Sequence, residues 1–556
     1  MSEKILVAVA WPYANGSIHL GQVAGVYLPA DIFARYHRIK GNEVLMVSGS
    51  DSHGTPVTLT AEQKGVTPEE ITKGFQDEFL DNWKRLGITF DLFTSTHTDN
   101  HFKVVQDIFL DLLNKGYIYK APMNQPFCEN ENRFLADRYV EGICPECNST
   151  GARGDQCDNC GKTLDPKDLI NMICRTCSNE PIIKETEHFF LKLTYFESVL
   201  SKWVEKQTHW RPNVKNFTQS FIENGLNDRA ITRDIEWGIP LPIDGYPTKR
   251  IYVWFEAVLG YISASKQWAK DRGEPDSWID FWQDNKSKSF YFMGKDNIPF
   301  HSVILPSILI GCGKFNLPYD IPANEYLNLQ GLKFSTSRDW AVWLPKYLDK
   351  YSPDALRYVL SASMPETSDT DFSWKEFVRR NNDELVATYG NLVNRVLNIV
   401  NKNFDSNIPS PYKLDIKSKD LLNECNVAMI QVSEHIESCQ FRLALQKSFK
   451  LAQLANKYLE HKAPWKAVKS NLEDAATTIW VSLSVINCLK ILFYPFLPHT
   501  STKLHSMLGF EDDILSLKWE WNDSQLIPGT KILFSGHLFD KLDESVIEDE
   551  NMSINK

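Results

Sequence analysis

Lys4-Ile-Leu-Val-Ala-Val-Ala10, Trp11-Pro-Tyr-Ala-Asn-Gly-Ser-Ile18 and His19-Leu-Gly-Gln22 follow one another near the start of the chain. The apolar run 5–10 is rich in β-formers and predicts a fully buried strand. Pro12, Asn15 and Gly16 end it. From Leu20 the pattern turns helical, with Val23, Val26, Tyr27, Ala30 and Phe33 recurring at three- and four-residue steps. A strand, a Gly-bearing loop and a helix N-terminus make a phosphate site, because free backbone N–H groups and the helix dipole point at the anion. His19 adds a donor at that mouth, and Gly21 lets a ligand approach the backbone closely.

Outward from this stretch, residues 43–47 predict a second strand, followed by Gly49-Ser-Asp51-Ser-His53-Gly54-Thr-Pro. Residues 68–87 and 102–115 predict helices. Such β-α-β alternation requires an α/β fold with a doubly wound parallel sheet, whose ligands sit at the carboxyl ends of the strands. Asp51 and His53 fall at such an end. Position alone leaves Asp51 open between a cap for the next helix and a carboxylate aimed at a substrate ammonium.

The alternation stops near Tyr119, and residues 120–185 are rich in Cys, Gly, Pro and Asn. It resumes over 253–268, 288–292 and 303–310, so the α/β domain is split by an insertion. Beyond Asp354 the apolar steps are helical over 383–402, 421–436, 442–461 and 475–493. The expected division is 1–118 and 231–325 for the two halves of the α/β domain and 119–230 for the insertion. A junction follows at 326–382, then an all-α bundle at 383–556. The last dozen residues, acidic and Asn-rich, read as a loose tail.

At 556 residues the chain has room for about three or four domains. A net charge of −11 argues against a surface coated in basic patches, though not against a local basic groove. No segment reads as a signal peptide, and the apolar stretch 479–498 is interrupted by Ser482, Ser484, Asn487 and Lys490. That stretch is expected to be a buried helix, and the protein cytoplasmic, with no membrane partner. Seven of the eleven cysteines lie between 128 and 177. In a large chain without a secretory signal this clustering means metal rather than disulfides. Cys144-x-x-Cys147 and Cys157-x-x-Cys160 have the spacing of a four-cysteine structural zinc ribbon. Cys174-x-x-Cys177 is a third knuckle whose partner is defective, since Cys128 is followed three residues later by Glu131. A second zinc there is left open.

The string Pro12-Tyr-Ala-Asn-Gly-Ser-Ile-His-Leu-Gly21 closely resembles the HIGH region of class I aminoacyl-tRNA synthetases in their methionyl form. Gly331-Leu-Lys333-Phe-Ser-Thr336-Ser-Arg338 resembles that family's KMSKS loop, whose lysines neutralise the triphosphate as pyrophosphate leaves. Between them, Val253-Trp-Phe-Glu-Ala257-Val-Leu-Gly-Tyr261 and Phe292-Met-Gly294-Lys295-Asp296-x-x-x-x-His301 resemble the amino-acid pocket and the nucleoside-binding strand end. Any one of Trp254, Tyr261 or His301 alone would read as aromatic core, and Lys333 alone as a solvated lysine; their order and spacing argue otherwise. Asn391-Leu-Val-Asn-Arg395 and Lys462-Ala-Pro464-Trp465 resemble the family's anticodon-reading residues. Two departures stand out: Gln22 replaces the usual final histidine, and Thr336 the second lysine.

The resemblance covers essentially the whole chain. It implies a class I Rossmann-type parallel sheet split by a zinc-binding insertion, then an α-helical anticodon-binding bundle. The implied reaction is ATP-dependent activation of L-methionine to methionyl-adenylate, then transfer to the 3′ end of elongator and initiator tRNA(Met). It assigns catalysis to His19, Gly21, Gln22, Lys333 and Thr336, with Arg338 as a further candidate, and ATP binding to these five together with Gly294, Lys295 and Asp296. Methionine falls to Trp11, Tyr13, Asp51, Trp254, Ala257, Tyr261 and His301, with Arg233 beside Asp51, and the anticodon to Asn391, Arg395 and Trp465. One structural zinc on Cys144, Cys147, Cys157 and Cys160 and a magnesium ion carried with ATP complete the set. The family usually has leucine at the place of Trp11 and proline at Val258, so the pocket wall is expected to differ. Two alternatives stay open: a catalytically inactive tRNA-binding paralogue, and another class I specificity. The expected state is a monomer, since no heptad run suggests a coiled coil.

Overall fold

The computed structural model describes residues 2–554 except 155, 156, 158, 161–163 and 336–338. Five strands form the central sheet: β1 (Lys4–Val9), β2 (Glu43–Ser50), β3 (Leu92–Ser95), β4 (Lys288–Gly294) and β5 (Ala323–Asn324). Their order is β5-β4-β1-β2-β3, with every pairing parallel. Val7 lies between Met46 and Phe290 at the centre of the sheet. Ile5 to Val9 are wholly inaccessible to solvent, as a strand covered on both faces must be. The chain reverses sheet direction between β1 and β4, and at such a switch point two diverging loops open a crevice.

The helical stretch after β1 begins at Leu20–Gln22, widens by one turn at Val23–Tyr27 and continues as Leu28–Ile39. Its start is a reciprocal cap: His19 Nδ1 accepts from the Gln22 amide, and Gln22 Oε1 accepts from the His19 amide at 3.0 Å. Beyond the sheet, β1 and β2 stay zipped, with the Asp51 amide donating to Pro12 O and the Ala14 amide to Asp51 O. This fixes Asp51 beside Tyr13. The cap reading of Asp51 is not realised, for Gly54 occupies the N-cap of helix Thr55–Lys64.

At the start of the Cys-rich segment, strand Ile118–Cys128 pairs antiparallel with Ile182–Leu191. A smaller sheet places Val140–Ile143 between Ala152–Arg153 and Ile170–Cys174. Past the Rossmann-type domain, Leu327–Leu329 turns back as Leu332–Lys333 and pairs parallel with Thr370–Phe372. Helix Trp374–Arg379 then runs on through Arg380–Gly390 into Asn391–Asn403. The junction and the bundle thus share a helix across the expected boundary at 383.

The bundle packs Ile416–Glu437, Phe441–Lys462 and Leu472–Phe493 together. Leu472–Phe493 has the length and hydropathy of a membrane span, yet all of the window is buried within the protein. Buried Arg357 joins the bundle to the first helix: it donates to Asp31 at 2.7 Å and to Phe496 O and Pro495 O. The expected loose tail is corrected. Ser545–Ile554 is a docked helix whose Val546, Ile547 and Ile554 pack on the main core. Buried Glu550 accepts from Lys350 Nζ and Tyr351 Oη at 2.7 and 2.8 Å.

Candidate active site

A cavity of about 460 Å³ opens at the switch point between β1 and β4. It is lined from the first loop by Trp11, Tyr13, His19, Gly21 and Gln22, and from the end of β2 by Asp51. Trp254, Ala257 and Tyr261 come from the segment after the insertion, and Gly294, Asp296 and His301 from the end of β4. Lys333 and Phe334 close it from the junction. Residues from Ala10 to Phe334, 324 positions apart in sequence, thus meet at one crevice.

Hydrogen bonds fix the aromatic wall. Trp254 Nε1 donates to Tyr13 Oη at 3.0 Å, and the Trp254 ring meets Phe300 edge-on with centroids 4.1 Å apart. His301 Nδ1 lies 2.9 Å from Asn297 O, a carbonyl that only accepts, so this nitrogen carries the proton. His301 Nε2 is therefore bare and accepts from Tyr261 Oη at 2.8 Å. Burial pushes His301 down to about 4, which keeps this neutral form at physiological pH. At this end the cavity presents rings and hydroxyls, with Arg138 also on the lining. Trp11 fits because Gly49 and Gly260 flank it: a Cβ would stand 2.3 Å from its ring at Gly49 and 2.6 Å at Gly260.

The opposite end suits an anion. His19 stacks on Phe334 with centroids 4.9 Å apart, and burial lowers its pKa to about 4. With Nδ1 accepting from the Gln22 amide, the neutral ring carries its proton on Nε2. A Cβ at Gly21 would lie 3.0 Å from the His19 ring and 3.2 Å from Phe334, so only glycine keeps that approach open. Lys333 and Lys295 both stand 4.0 Å from the Tyr326 ring centroid. Lys295 is also held by Glu325 and Asp369 at 2.7 and 3.1 Å. Between the two ends, burial holds Asp51 well above the usual carboxylate range. A ligand cation beside Asp51 would relieve that cost.

Of the residues singled out in the sequence, Lys295 stands behind Glu325 rather than on the wall. Arg233 lines a neighbouring cavity, with its guanidinium 3.6 Å from the Tyr252 ring centroid. Thr336 and Arg338 lie outside the described residues. Phe300, Tyr326 and Glu325 were not singled out; Phe300 precedes His301, but nothing local to residues 325 and 326 marks them.

In the insertion, the sulfurs of Cys144, Cys147, Cys157 and Cys160 lie within 4.8 Å of one another. Cys144 to Cys160 is 3.9 Å and Cys147 to Cys157 is 3.6 Å. A tetrahedral ion with metal–sulfur bonds of about 2.3 Å needs sulfurs roughly 3.8 Å apart, so the donors fit zinc. Cys128, Cys174 and Cys177 form a second, three-sulfur group. In the bundle, Trp465 is 39% exposed, and the Arg395 guanidinium lies 4.8 Å from its ring centroid. Asn391 is exposed and lines a small cavity with Asn394 and His537.

The parallel sheet of this order, the cavity at its switch point and the helical bundle that follows place the chain among the class I aminoacyl-tRNA synthetases. The family described as tRNA synthetases class I (M) matches residues 5–397, and the anticodon binding domain of methionyl tRNA ligase matches 408–553. A methionine–tRNA ligase of Dehalococcoides mccartyi strain CBDB1 is 53% identical over 550 residues, covering 99% of each chain. One of Thermomicrobium roseum is 49% identical over 579 residues, covering 100% of this chain and 99% of its own. The solved Mycobacterium tuberculosis methionyl-tRNA synthetase with methionyl-adenylate shares the fold, with a TM-score of 0.80 at 24% identity over 97% of this chain and all of that one. The chain belongs to the methionine–tRNA ligase family.

Proposed function

We propose that this chain activates methionine with ATP to methionyl-adenylate and transfers the methionyl group to tRNA(Met), elongator and initiator alike. One observation carries the reading: a single cavity joins an aromatic pocket and a buried carboxylate to the end at His19, Gly21 and Lys333 that suits an anion. Trp254, Tyr261, Ala257 and His301 receive the thioether side chain, with Trp11 and Tyr13 at its edge. Asp51 receives the α-ammonium, leaving the carboxylate towards the anion end. No protein nucleophile is needed. The methionine carboxylate attacks the α-phosphorus, the bond to the bridging oxygen breaks, and pyrophosphate leaves with that electron pair; catalysis is positioning and charge stabilisation. His19 donates from Nε2 without adding charge, the helix N-terminus adds its dipole, and Lys333 neutralises the leaving pyrophosphate. Gln22 acts through its cap on His19. Magnesium bound with ATP would supply further charge neutralisation. A hydroxyl of the 3′-terminal ribose of the tRNA then attacks the adenylate carbonyl, the carbonyl–phosphate oxygen bond breaks, and AMP leaves as the hydroxyl proton is released.

Cys144, Cys147, Cys157 and Cys160 would hold one structural zinc, which stiffens the insertion. Cys128, Cys174 and Cys177 bring three sulfurs together among the described residues, one short of the four ligands a structural zinc site takes. We assign the protein to the cytoplasm as a monomer, a state that light scattering would overturn by giving twice the chain mass. The decisive experiment is amino-acid-dependent ATP–pyrophosphate exchange with all twenty amino acids. Methionine alone should support it, and Asp51→Asn should raise the KM for methionine. Absence of exchange with magnesium present would favour the inactive paralogue.

A further inference from the structure

Behind Asp51 lies a side-chain network, buried at His53, His101, Glu256 and Ser263 and half-buried at His97 and Trp237, that the reaction itself does not touch. Glu256 is wholly inaccessible and bridges two imidazoles: His53 Nδ1 lies 2.7 Å from its Oε1 and His101 Nε2 2.9 Å from its Oε2. The far nitrogen of His53 meets His97 Nδ1 at 3.0 Å, and His97 stacks on Trp237 with centroids 4.2 Å apart. The far nitrogen of His101 lies 2.8 Å from Ser263 Oγ. The network is hydrogen-bonded to the cavity wall where the His53 amide donates to Asp51 Oδ1.

Counting protons along the chain fixes its charge. Ser263 Oγ lies 2.9 Å from Gly260 O, a carbonyl that only accepts, so the single hydroxyl proton is used there. Ser263 must then accept from His101 Nδ1, which therefore carries a proton. If Glu256 accepts at both oxygens, His101 Nε2 carries one too, giving an imidazolium beside a carboxylate. If His101 is neutral, Glu256 must carry the proton and donate it to His101 Nε2. Both states hold one proton more than a neutral histidine beside an ionised glutamate, and in both the pair has no net charge. Sequestered from water, a lone ionised carboxylate at this place would be costly. Burial acts in the same direction, raising the pKa of Glu256.

We propose that Glu256 and His101 share one proton and act as a neutral positioning pair for Asp51. Through His53 the pair holds the 51–53 backbone so that the Asp51 carboxylate faces the cavity, while adding no second negative charge beside it. The pocket then presents one carboxylate to one α-ammonium. This rests on the methionine-site reading above, in which Asp51 takes that ammonium.

The test is pyrophosphate exchange by Glu256→Ala, Glu256→Gln and Asp51→Asn, with melting temperature recorded for each. Glu256→Ala releases His53 and should raise the KM for methionine at least about tenfold, the scale of a misaligned hydrogen bond to a charged group, while the KM for ATP stays within about twofold. Glu256→Gln should rescue the KM for methionine, because its amide oxygen accepts from His53 and its amide nitrogen donates to His101 with no net charge. If Gln is as damaging as Ala, the ionised charge matters and the proposal falls. It falls also if a folded Ala variant binds methionine normally. Should Ala fail to fold, the Gln arm still decides. Asp51→Asn separates the two readings: an unchanged methionine KM there removes the methionine site itself. A raised one together with a damaged Gln variant removes only the neutral pair.

Discussion

Lys333 and Lys295 approach the same Tyr326 ring, yet they are placed for different work. Lys295 is tied by Glu325 and Asp369, whereas Lys333 sits on the cavity wall facing the anion end. A lysine that meets charge only as pyrophosphate departs acts on the transition state rather than on bound methionine. Lys333→Ala should therefore lower kcat in pyrophosphate exchange by about 10²–10³-fold, the scale for losing one charge-stabilising donor, with little change in the KM for methionine. A mutant altered only in KM would place Lys333 in ground-state binding. At this scale the sequence was legible for several motif residues: His19, Asp51, Trp254, Tyr261 and His301 converge on one cavity, while Lys295 and Arg233 lie off its lining. It was illegible where placement depends on partners far away in the chain. Tyr326 and Glu325 enter through pairing of the short strand at residues 327–329, and no local pattern announces that. Gln22 shows the converse, because a departure from the family string finds its use as a reciprocal cap on His19.

Among the elements, the strands and long helices followed from hydrophobic period, since burial on one or both faces writes itself into the apolar spacing. The knuckles followed from cysteine spacing. Their four sulfurs gather in a small core whose other main members are Leu135, Tyr139, Val140, Leu164 and Leu169. With so small a core, a metal bound there would contribute much of its stability. Purified protein should carry about one zinc per chain, and Cys157→Ser should lower that content while hindering productive tRNA seating more than pyrophosphate exchange. Metal analysis returning none without chelator would refute the site, and two would bring in Cys128, Cys174 and Cys177. The terminal helix Ser545–Ile554 was the element missed. Its acidic composition suggested solvation, but only one face is solvated while Val546, Ile547 and Ile554 pack inward. Glu550→Ala should cost about 1 kcal/mol in urea denaturation, because Tyr351 loses its buried acceptor while half-exposed Lys350 contributes little. No loss of stability would mean that the helix is held by apolar contacts alone.

Across the whole molecule, the bundle and the catalytic domain are joined by more than chain connectivity. Helices run unbroken from Trp374 through Asn403, and Arg357 is buried against Asp31 and the carbonyls of Pro495 and Phe496. Such ties hold an anticodon reader at a fixed remove from the cavity. The division of labour follows from that separation: Trp465 does not line the reaction cavity, yet it carries an exposed ring beside Arg395. An exposed tryptophan next to a guanidinium offers a base a stacking face and an edge-reading donor together. Trp465→Ala should therefore lower kcat/KM for tRNA about tenfold to a hundredfold, the equivalent of one base–aromatic stack at about 1–3 kcal/mol, and leave pyrophosphate exchange nearly unchanged. Arg395→Ala should act in the same direction, and a tRNA with an altered CAU anticodon should lose sensitivity to both changes. The competing view makes Trp465 a seal on the bundle, whose loss would cost several kcal/mol as a core truncation does. Its 39% exposure argues for a small change in melting temperature instead. A folded mutant with normal exchange and normal charging would remove Trp465 from the anticodon site, whereas a large loss of stability with parallel loss of both activities would return it to the core.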